Sequence, residues 1–594
     1  MARPRRRLGV VWPAALAIAL ATGVAGCVTV PTSGHVQAVS ITQGGASQSQ
    51  DYLQPIPAPP GRDWSARQIV SGFLAANASF ASNHAVAREY LTASASRNWR
   101  PGWEVTVFKN LDVPPQPALP RLSRRPASTT VVPVSGLVLG SLSNSGQYAI
   151  SSAGHAVTRE RFVLVKVGGQ WRISGLPPRL LLTDADFHRV YQSRNLYFFD
   201  PAMQVLVPDP VYVPQEATPT DLVTRLVQAL EDPPTGWLSS AARTGFPAHT
   251  KANVALDGGT AIVNLGGAAA GATEARLRQI SAQLLWTLAG STSDQPAIRS
   301  VELEVNGTPW TLGGSGSPVQ QIGLYGNYVP SAPSHASFYY ADGRGAVHAL
   351  SDTAQGNTPQ GTPVPGQAGT GQIPLTEAAV SPDRRYVAGL AAGGTAIYTG
   401  TLTQGGVLTQ RLTGSFTSLS WDSHDDLWAA GNGGVWMVPA GGGAAVRVAG
   451  ALPAGDRVTA LKVAPDGVRC AMIVTSGAGS QLMLAAIIRA GQQAYLGPPV
   501  PISSENFTAL TWYDADHVIA LSQTSHGPVL DEVAVNGELL SPVPAEQGTV
   551  SITADGSAGP LVAGLSNGQM VMLASLGGLW SGVVGTGSDP AYPG

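Results

Sequence analysis

From about residue 320 to residue 594 the chain repeats, and the repeat allows few architectures. Each unit carries an Asp-centred turn followed by a β-rich run: Ala341-Asp342-Gly343, Ser381-Pro382-Asp383, His424-Asp425-Asp426, Ala464-Pro465-Asp466-Gly467, Asp514-Ala515-Asp516 and Ala554-Asp555-Gly556. With Asp342, Asp383, Asp425, Asp466, Asp516 and Asp555 as markers, the intervals are 41, 42, 41, 50 and 39 residues. Leu419-Ser420-Trp421, Leu461-Lys462-Val463 and Leu510-Thr511-Trp512 precede three of the turns. Their alternation is that of strands with one buried face. A period near 40 with several short strands per unit is that of a propeller blade, so six markers predict an all-β propeller of about six blades. An open array of β-sandwiches is the alternative, and so regular a period disfavours it. The Pro/Gly-rich segment Ala354 to Gln372 reads as an exposed loop.

The N-terminus constrains location. Arg3, Arg5, Arg6 and Arg7 precede an apolar run from Leu8 to Ala25, and Val24-Ala25-Gly26 lead into Cys27. The run is short for a membrane span, carries Pro13 near its start, and is followed by polar sequence without a stop-transfer pattern. The arrangement resembles a bacterial lipobox. That resemblance implies a signal peptide over 1–26, cleaved before Cys27, and a diacylglyceryl thioether and an N-acyl chain such as palmitate on Cys27. Two acyl chains suffice for stable anchoring, at about 0.8 kcal/mol per buried CH₂. The expected location is the cell membrane, lipid-anchored, on its extracytoplasmic face. An uncleaved signal anchor or an ordinary secretory signal is the alternative, and the ordered succession of all three signal regions before one cysteine disfavours it.

Residues 27–62 read as a lipidated flexible tether. Gln43 to Gln50 is polar, and Pro55 to Gly61 is Pro-rich. As a coil it spans roughly 30–35 Å. Removing the four arginines of the signal changes 35 basic against 37 acidic residues to 31 against 37, a formal net charge of −6. That argues against a nucleic-acid partner. With Cys27 lipidated, Cys470 has no partner in the chain, so core burial rather than disulfides must hold the fold. Cys470 lies in the strand-like run Val468 to Val474 and reads as a small buried apolar residue.

Two small α+β domains are expected between tether and propeller. In residues 63–185, Ser65 and Gln68 form a capping-box pattern, and Ile69, Val70, Phe73, Leu74, Asn77 and Phe80 follow helical spacing. A second helix is expected over Ala85 to Leu91. Strands follow over Val131 to Leu139, Tyr148 to Ser151, Phe162 to Val167 and Trp171 to Ile173, with Gly168-Gly169 as a hairpin signal. Helices before an antiparallel sheet resemble the NTF2-like fold. In residues 189–312, Leu196 to Phe199 and Gln204 to Val207 read as strands. A helix capped by Thr220 presents Leu222, Val223, Leu226, Val227 and Leu230, and Asp232-Pro233-Pro234 stops it. A hairpin at Asp257-Gly258-Gly259, a second helix through Leu277, Ile280, Ser281, Leu284, Leu285 and Leu288, and a strand Val301 to Val305 complete the unit. The segment Leu196 to Asp200, the helix end Leu230 to Pro234 and the strand Thr260 to Leu265 resemble the GerMN domain.

Lipobox, N-terminal α+β domain, GerMN-like domain and propeller, in that order, resemble the LpqB family of actinobacterial lipoproteins. Val30-Pro31-Thr32-Ser33-Gly34 and Ala87-Arg88-Glu89-Tyr90-Leu91-Thr92 strengthen the resemblance. It implies an accessory role in envelope and cell-division signalling, through the extracytoplasmic domain of a two-component sensor histidine kinase, MtrB.

No catalytic set stands out, and no cofactor or metal is expected. Gly564-Leu565-Ser566-Asn567-Gly568 fits G-x-S-x-G, but strand-like runs flank it on both sides and Asn567-Gly568 is a hairpin turn. Ser566 is therefore expected as an exposed turn residue. Asp422, Asp425 and Asp426 could hold a metal, but such residues more often cap turns. Trp64, Trp99, Trp103, Trp421, Trp428, Trp436 and Trp512 could include sugar-stacking groups, but at strand spacing they read as core. The leading expectation is thus a non-catalytic interaction lipoprotein. Its rivals are a lipoprotein that binds cell-wall glycan (peptidoglycan) and, behind that, an extracellular hydrolase. If Cys27 is the sole lipid attachment point, Cys27→Ser leaves an uncleaved precursor or a released chain. Intact-mass spectrometry of membrane-derived mature protein checks this, and an unmodified Cys27 there contradicts it.

Overall fold

Ser65 opens the first helix as its neighbours demand. Its Oγ accepts from Gln68 N at 3.4 Å while Gln68 Oε1 accepts from Ser65 N at 2.9 Å, a complete capping box. The computed structural model describes residues 57–594, apart from 115–127, 152–156, 216–217, 235, 290–297, 329–336, 352–360, 432, 451, 453–454, 478, 492, 504, 539 and 541. Cys27, the lipobox and most of the tether lie outside the described residues. The tether's last residues do not hang free, since Ala58 O accepts from Tyr90 Oη at 2.7 Å.

The N-terminal domain packs helices α1 (Ala66–Asn77), α2 (Ala81–Glu89) and α3 (Ala93–Asn98) on one sheet. Its strands are β1 (Glu104–Phe108), β2 (Thr129–Ser143), β3 (Tyr148–Ile150), β4 (Val157–Val167), β5 (Gln170–Gly175) and β6 (Leu180–Thr183), in the order β5-β4-β2-β1-β6 with β3 on β2. Ile69, Val70, Phe73 and Leu74 form the buried face of α1. Phe73 meets Trp99 and Phe162 at centroid distances of 5.3 and 5.9 Å. α2 starts four residues earlier than the spacing suggested. α3, β1 and the parallel β1–β6 pair were not read from the sequence.

Helix α4 (Asp184–Val190) leads into the GerMN domain, where β7 (Tyr191–Phe199) and β8 (Leu206–Pro214) form a hairpin. Helix α5 (Pro219–Glu231) is capped by Thr218, whose Oγ1 accepts from Asp221 N at 3.2 Å. Thr220 is not the cap. Pro219 suits the first helical turn, which makes Thr218 the residue before it. Strands β9 (Thr250–Asp257) and β10 (Thr260–Gly267) are antiparallel, and α6 (Glu274–Ala289) crosses over to β11 (Ser300–Val305), parallel to β10. The five apolar residues of α5 named above are all buried, at about 1.5–3 kcal/mol each. This core is not closed off from its neighbours, because Val468 and Ala486 of the propeller belong to it and Tyr212 of β8 enters the N-terminal core.

The propeller has six blades of four principal strands. Their innermost strands are Leu375–Val380, Phe416–Trp421, Arg457–Val463, Phe507–Trp512, Thr549–Ala554 and Ser588–Ala591. The ring closes because the last of these, from the C-terminal end, pairs with Ser337–Ala341 and becomes the innermost strand of the first blade. A side-chain hydrogen bond crosses every junction between neighbouring innermost strands. Glu377 Oε1 accepts from Leu419 N, Ser420 Oγ from Val463 N, Thr511 Oγ1 from Ala554 N and Thr553 Oγ1 from Tyr592 N, at 2.9–3.1 Å. Trp512 Nε1 donates to Lys462 O at 3.0 Å, and Ser588 Oγ to Thr376 O at 3.1 Å.

Each blade has one carboxylate folded back onto its own turn, but the set differs from the markers chosen by spacing. Asp422 and Asp514, not Asp425 and Asp516, accept the turn's backbone N–H groups, as do Asp342, Asp383, Asp466 and Asp555. Asp425 and Asp516 point outward to Arg385 and Asn195. Asp342 lies between the second and third strands of its blade, whereas the other five lie between the first and second. The first blade takes its innermost strand from the far end of the chain, which shifts its numbering by one. Of the segment expected as an exposed loop, 354–360 lie outside the described residues. The remainder carries an outer strand, Thr362–Pro363, and buries Val364 and Ala368.

Deleting residues 588–594 removes one innermost strand and the bonds to Thr553 and Thr376. It exposes two sheet edges that otherwise pair. The expected result is a broadened, lower melting transition. A loss of about 3 kcal/mol corresponds to roughly 6–12 °C at this domain size, and calorimetry on the full chain measures it.

Candidate interaction site at the domain junctions

The seam between GerMN domain and propeller is built around one arginine. Arg469 begins the second strand of the fourth blade and has no solvent exposure, nor does Asp466. Asp466 Oδ1 caps its turn by accepting from Val468 N and Arg469 N, at 2.8 and 3.0 Å, which leaves Oδ2 for Arg469 Nε at 2.7 Å. The remaining guanidinium nitrogens donate to Pro208 O of β8, at 3.2 Å, and to Ala515 O in the fifth blade. The group lies 5.1 Å from the centre of the Trp512 ring. Asp209, buried beside it, has its carboxyl pushed up to about 7 by burial, with Arg469 and a hydrogen bond from Gln147 acting in the opposite direction.

Polar contacts continue along the seam. Asn195 Nδ2 donates to Asp516 Oδ2 at 2.6 Å, Asn536 Nδ2 to Ser193 Oγ at 2.8 Å, and Tyr212 Oη to Glu538 Oε2 at 3.0 Å. They surround a cavity of about 900 Å³. Asp514, Asp516 and His517 sit on its wall, with one potential metal-ligating atom each within 4.8 Å of the others. In this structure His517 Nδ1 pairs with Asp514 at 3.0 Å. Burial works against the imidazolium, but the hydrogen bond and charge of Asp514, with Asp516 and Glu532, outweigh it and hold His517 at about 9.

Several residues that could have carried other chemistry are engaged in turns, ion pairs or the core. Asp422 Oδ1 caps its turn, and Oδ2 takes Trp428 Nε1 at 2.6 Å as well as Arg489. Asp426 pairs with Arg489 at 2.9 Å and Asp425 with Arg385 at 2.7 Å. These three carboxylates are committed to arginines and turns. Ser566 is exposed in a hairpin turn, with its N–H on Gly548 O at 2.8 Å. Cys470 is buried, its thiol pushed up to about 12 by burial. Trp99, Trp421, Trp428 and Trp512 are core residues and Trp64 and Trp436 are half-buried, but Trp103, expected as core, is 66% exposed.

One group was not foreseen. Lys462, Glu377 and Asp589 face one another among the innermost strands. Lys462 Nζ donates to Leu419 O at 2.7 Å, beside the Leu419 N–H that serves Glu377. Burial pushes Glu377 up to about 7, with Lys462 opposing. Three isolated charges in three repeats gave no spacing to read. Both Glu377 and Lys462 are tied to the Leu419 backbone, a stitch across blades.

The fold therefore defines a chain of two α+β domains fixed to a six-bladed propeller. Its domains match, in order, the families described as Lipoprotein LpqB, N-terminal domain (residues 59–188), Sporulation and spore germination (195–311), and Lipoprotein LpqB beta-propeller domain (351–593). The chain is 31% identical to Lipoprotein LpqB of Thermobifida fusca, over 97% of each chain. It is 30% identical to Lipoprotein LpqB of Streptomyces avermitilis, over 96% of each. This chain belongs to the LpqB lipoprotein family. A solved structure of tandem GerMN domains of GerM from Bacillus subtilis aligns at 18% identity, over 28% of this chain and 63% of that one, with a TM-score of 0.19. Membership implies a membrane-anchored lipoprotein, and among the described residues no helix is long and apolar enough to cross a membrane.

Two outcomes test the seam. Arg469→Leu leaves Asp466 buried without its cation, at a cost of about 3–5 kcal/mol. Chemical denaturation measures the loss, and adding Asp466→Asn should recover part of it. His517 has a folded pKa above its ordinary 6.5. Its contribution is thus full below pH 6.5 and lost as pH rises through about 9. A stability-versus-pH curve for His517→Gln should lack that alkaline decline.

Proposed function

We propose that this chain is a non-catalytic, membrane-anchored lipoprotein on the extracytoplasmic face of the cell membrane. In this reading it binds the extracytoplasmic domain of an MtrB-like sensor histidine kinase and adjusts envelope and division signalling. The observation that carries the reading is the seam around Arg469. It joins GerMN domain and propeller through the buried Arg469–Asp466 pair and its hydrogen bonds to Pro208 O and Ala515 O, so the two present one composite surface. A rigid surface binds without the ordering cost of a flexible one. Family membership supports the anchor and the lipoprotein class.

Binding alone would change nothing in the kinase. The lipoprotein must favour one signalling state over the other, typically by ~1–3 kcal/mol. Anchoring at Cys27 would confine both partners to one surface and raise their effective concentration. Cys27→Ser should therefore lose signalling output while its folded domains still bind the isolated ectodomain. The measurement is response-regulator phosphorylation in cells lacking this protein, complemented with either form. Unchanged phosphorylation on deletion, with no ectodomain binding in vitro, overturns the reading.

A further inference from the structure

We propose that the open face of the N-terminal sheet lies on anionic phospholipid headgroups, so that this domain rests on the bilayer and the propeller is held away from it. The inference rests on the membrane anchoring of the family and not on the kinase reading.

Strand pairing defines the face. Along β2 and β4, Val132, Val134, Phe162 and Leu164 belong to the domain core. The alternate residues therefore share the other side of the sheet. There Val131 stands opposite Val163, Pro133 opposite Arg161, Ser135 opposite Arg159 and Leu137 opposite Val157. Val165 stands opposite Arg172 of β5. Val131, Val157, Arg159 and Arg161 are exposed, Val157 at 67%. Arginines and branched apolar side chains thus occupy one pleated surface. Glu160 is on the opposite side, level with Val134 and paired with Arg179. One carboxylate, Asp112, lies at the margin beside Ser135.

The charges of the chain are divided by domain. Residues 59–188 carry 14 Lys and Arg against 7 Asp and Glu. Arg121, Arg124 and Arg125 lie outside the described residues, and the excess persists without them. The rest of the chain from residue 27 carries 17 against 30, and no Lys or Arg follows Arg489. An anionic surface therefore attracts the N-terminal domain and repels the last two blades, which orients the molecule. A soluble anion would meet the arginines but leave the valines in water. A headgroup layer takes both, since it offers phosphates beside apolar acyl boundary.

The chain also enters at an edge of this face. Gln170 stands opposite Val167 on it. The Gln170 side chain accepts from Asp63 N at 2.8 Å and donates to Asp63 Oδ1 at 3.1 Å. Residue 57 follows Cys27 by 30 positions, a coil of about 30 Å. An anchor at Cys27 keeps the face at high effective concentration beside the bilayer. Each basic residue at an anionic surface then strengthens partition about fivefold.

The chain from residue 27 onward, produced without acyl chains, is sedimented with two kinds of vesicle. One is phosphatidylcholine alone, and the other is equal parts phosphatidylcholine and phosphatidylglycerol. Binding to the anionic vesicles should be about tenfold tighter or more, and should weaken as salt is raised. Arg159→Gln with Arg161→Gln should weaken it about tenfold or more, with an unchanged melting temperature because both side chains are exposed. Arg159→Lys with Arg161→Lys should retain it. Arg299→Gln with Arg457→Gln removes the same charge from exposed sites in the GerMN domain and propeller, and should leave binding unchanged. No binding, equal binding to both vesicles, wild-type binding by the Arg159/Arg161 glutamine variant, or an equal loss in the Arg299/Arg457 variant each overturns the proposal. So does salt-sensitive self-association that the Arg159/Arg161 glutamine variant abolishes while vesicles stay unbound, since the face would then meet the acidic propeller of a second copy. The kinase ectodomain is absent from every arm, so failure here is distinct from failure of the kinase reading.

Discussion

Arg469 is the group on which the arrangement of domains depends. Its charge is fully buried, and a buried charge needs an opposite charge and hydrogen bonds around it. Asp466 meets one side, Pro208 O and Ala515 O accept one bond each, and Trp512 covers the face. The partners come from the guanidinium's own turn, from the GerMN hairpin and from the next blade. None can move without leaving a donor unpaired in an apolar core. The requirement thus converts a local ion pair into a constraint on three structural units. The net stability from such a pair is small, because desolvation offsets the attraction. What it specifies is position.

The propeller is specified in a related way. Its β-rich composition would permit many open sheet assemblies, each with exposed edges. Closure depends on the innermost strand Ser588–Ala591 arriving from the far end of the chain. Side chains of Glu377, Ser420, Thr511 and Thr553 then accept backbone N–H groups of the following blade. These short polar groups do what sheet pairing cannot do across a radial gap. They set the rotation of each blade relative to the next, while apolar clusters such as that of Trp421 with Leu419 and Leu427 supply the burial.

The blade repeat, the GerMN helices and the capping box at Ser65 were legible because each is a local pattern with a period or fixed offset. Ambiguity entered where two acidic residues competed for one role. Asp422 and Asp425 both fit the spacing, and only backbone geometry shows that Asp422 turns inward. Asp514 and Asp516 differ in the same way. The first blade misled for a topological reason, since its innermost strand is the last in sequence. β1 and β6 were missed although strands as short were read elsewhere, and their parallel pairing joins segments more than 70 residues apart. The seam had little sequence signature, because Arg469 lies about 260 residues from Pro208. One clue was available for Arg469: an arginine three residues after a turn aspartate, inside an otherwise apolar run.

These placements suggest how a chain with few charges uses them. Only 12% of residues are charged, yet Arg469, Asp466, Asp209, Lys462 and Glu377 are buried or nearly so at seams. At a surface each would contribute little, because water screens exposed pairs. At a junction a charge penalises every arrangement except the one that meets it. Apolar packing thus holds each domain together, and the few buried charges fix how the domains stand against one another.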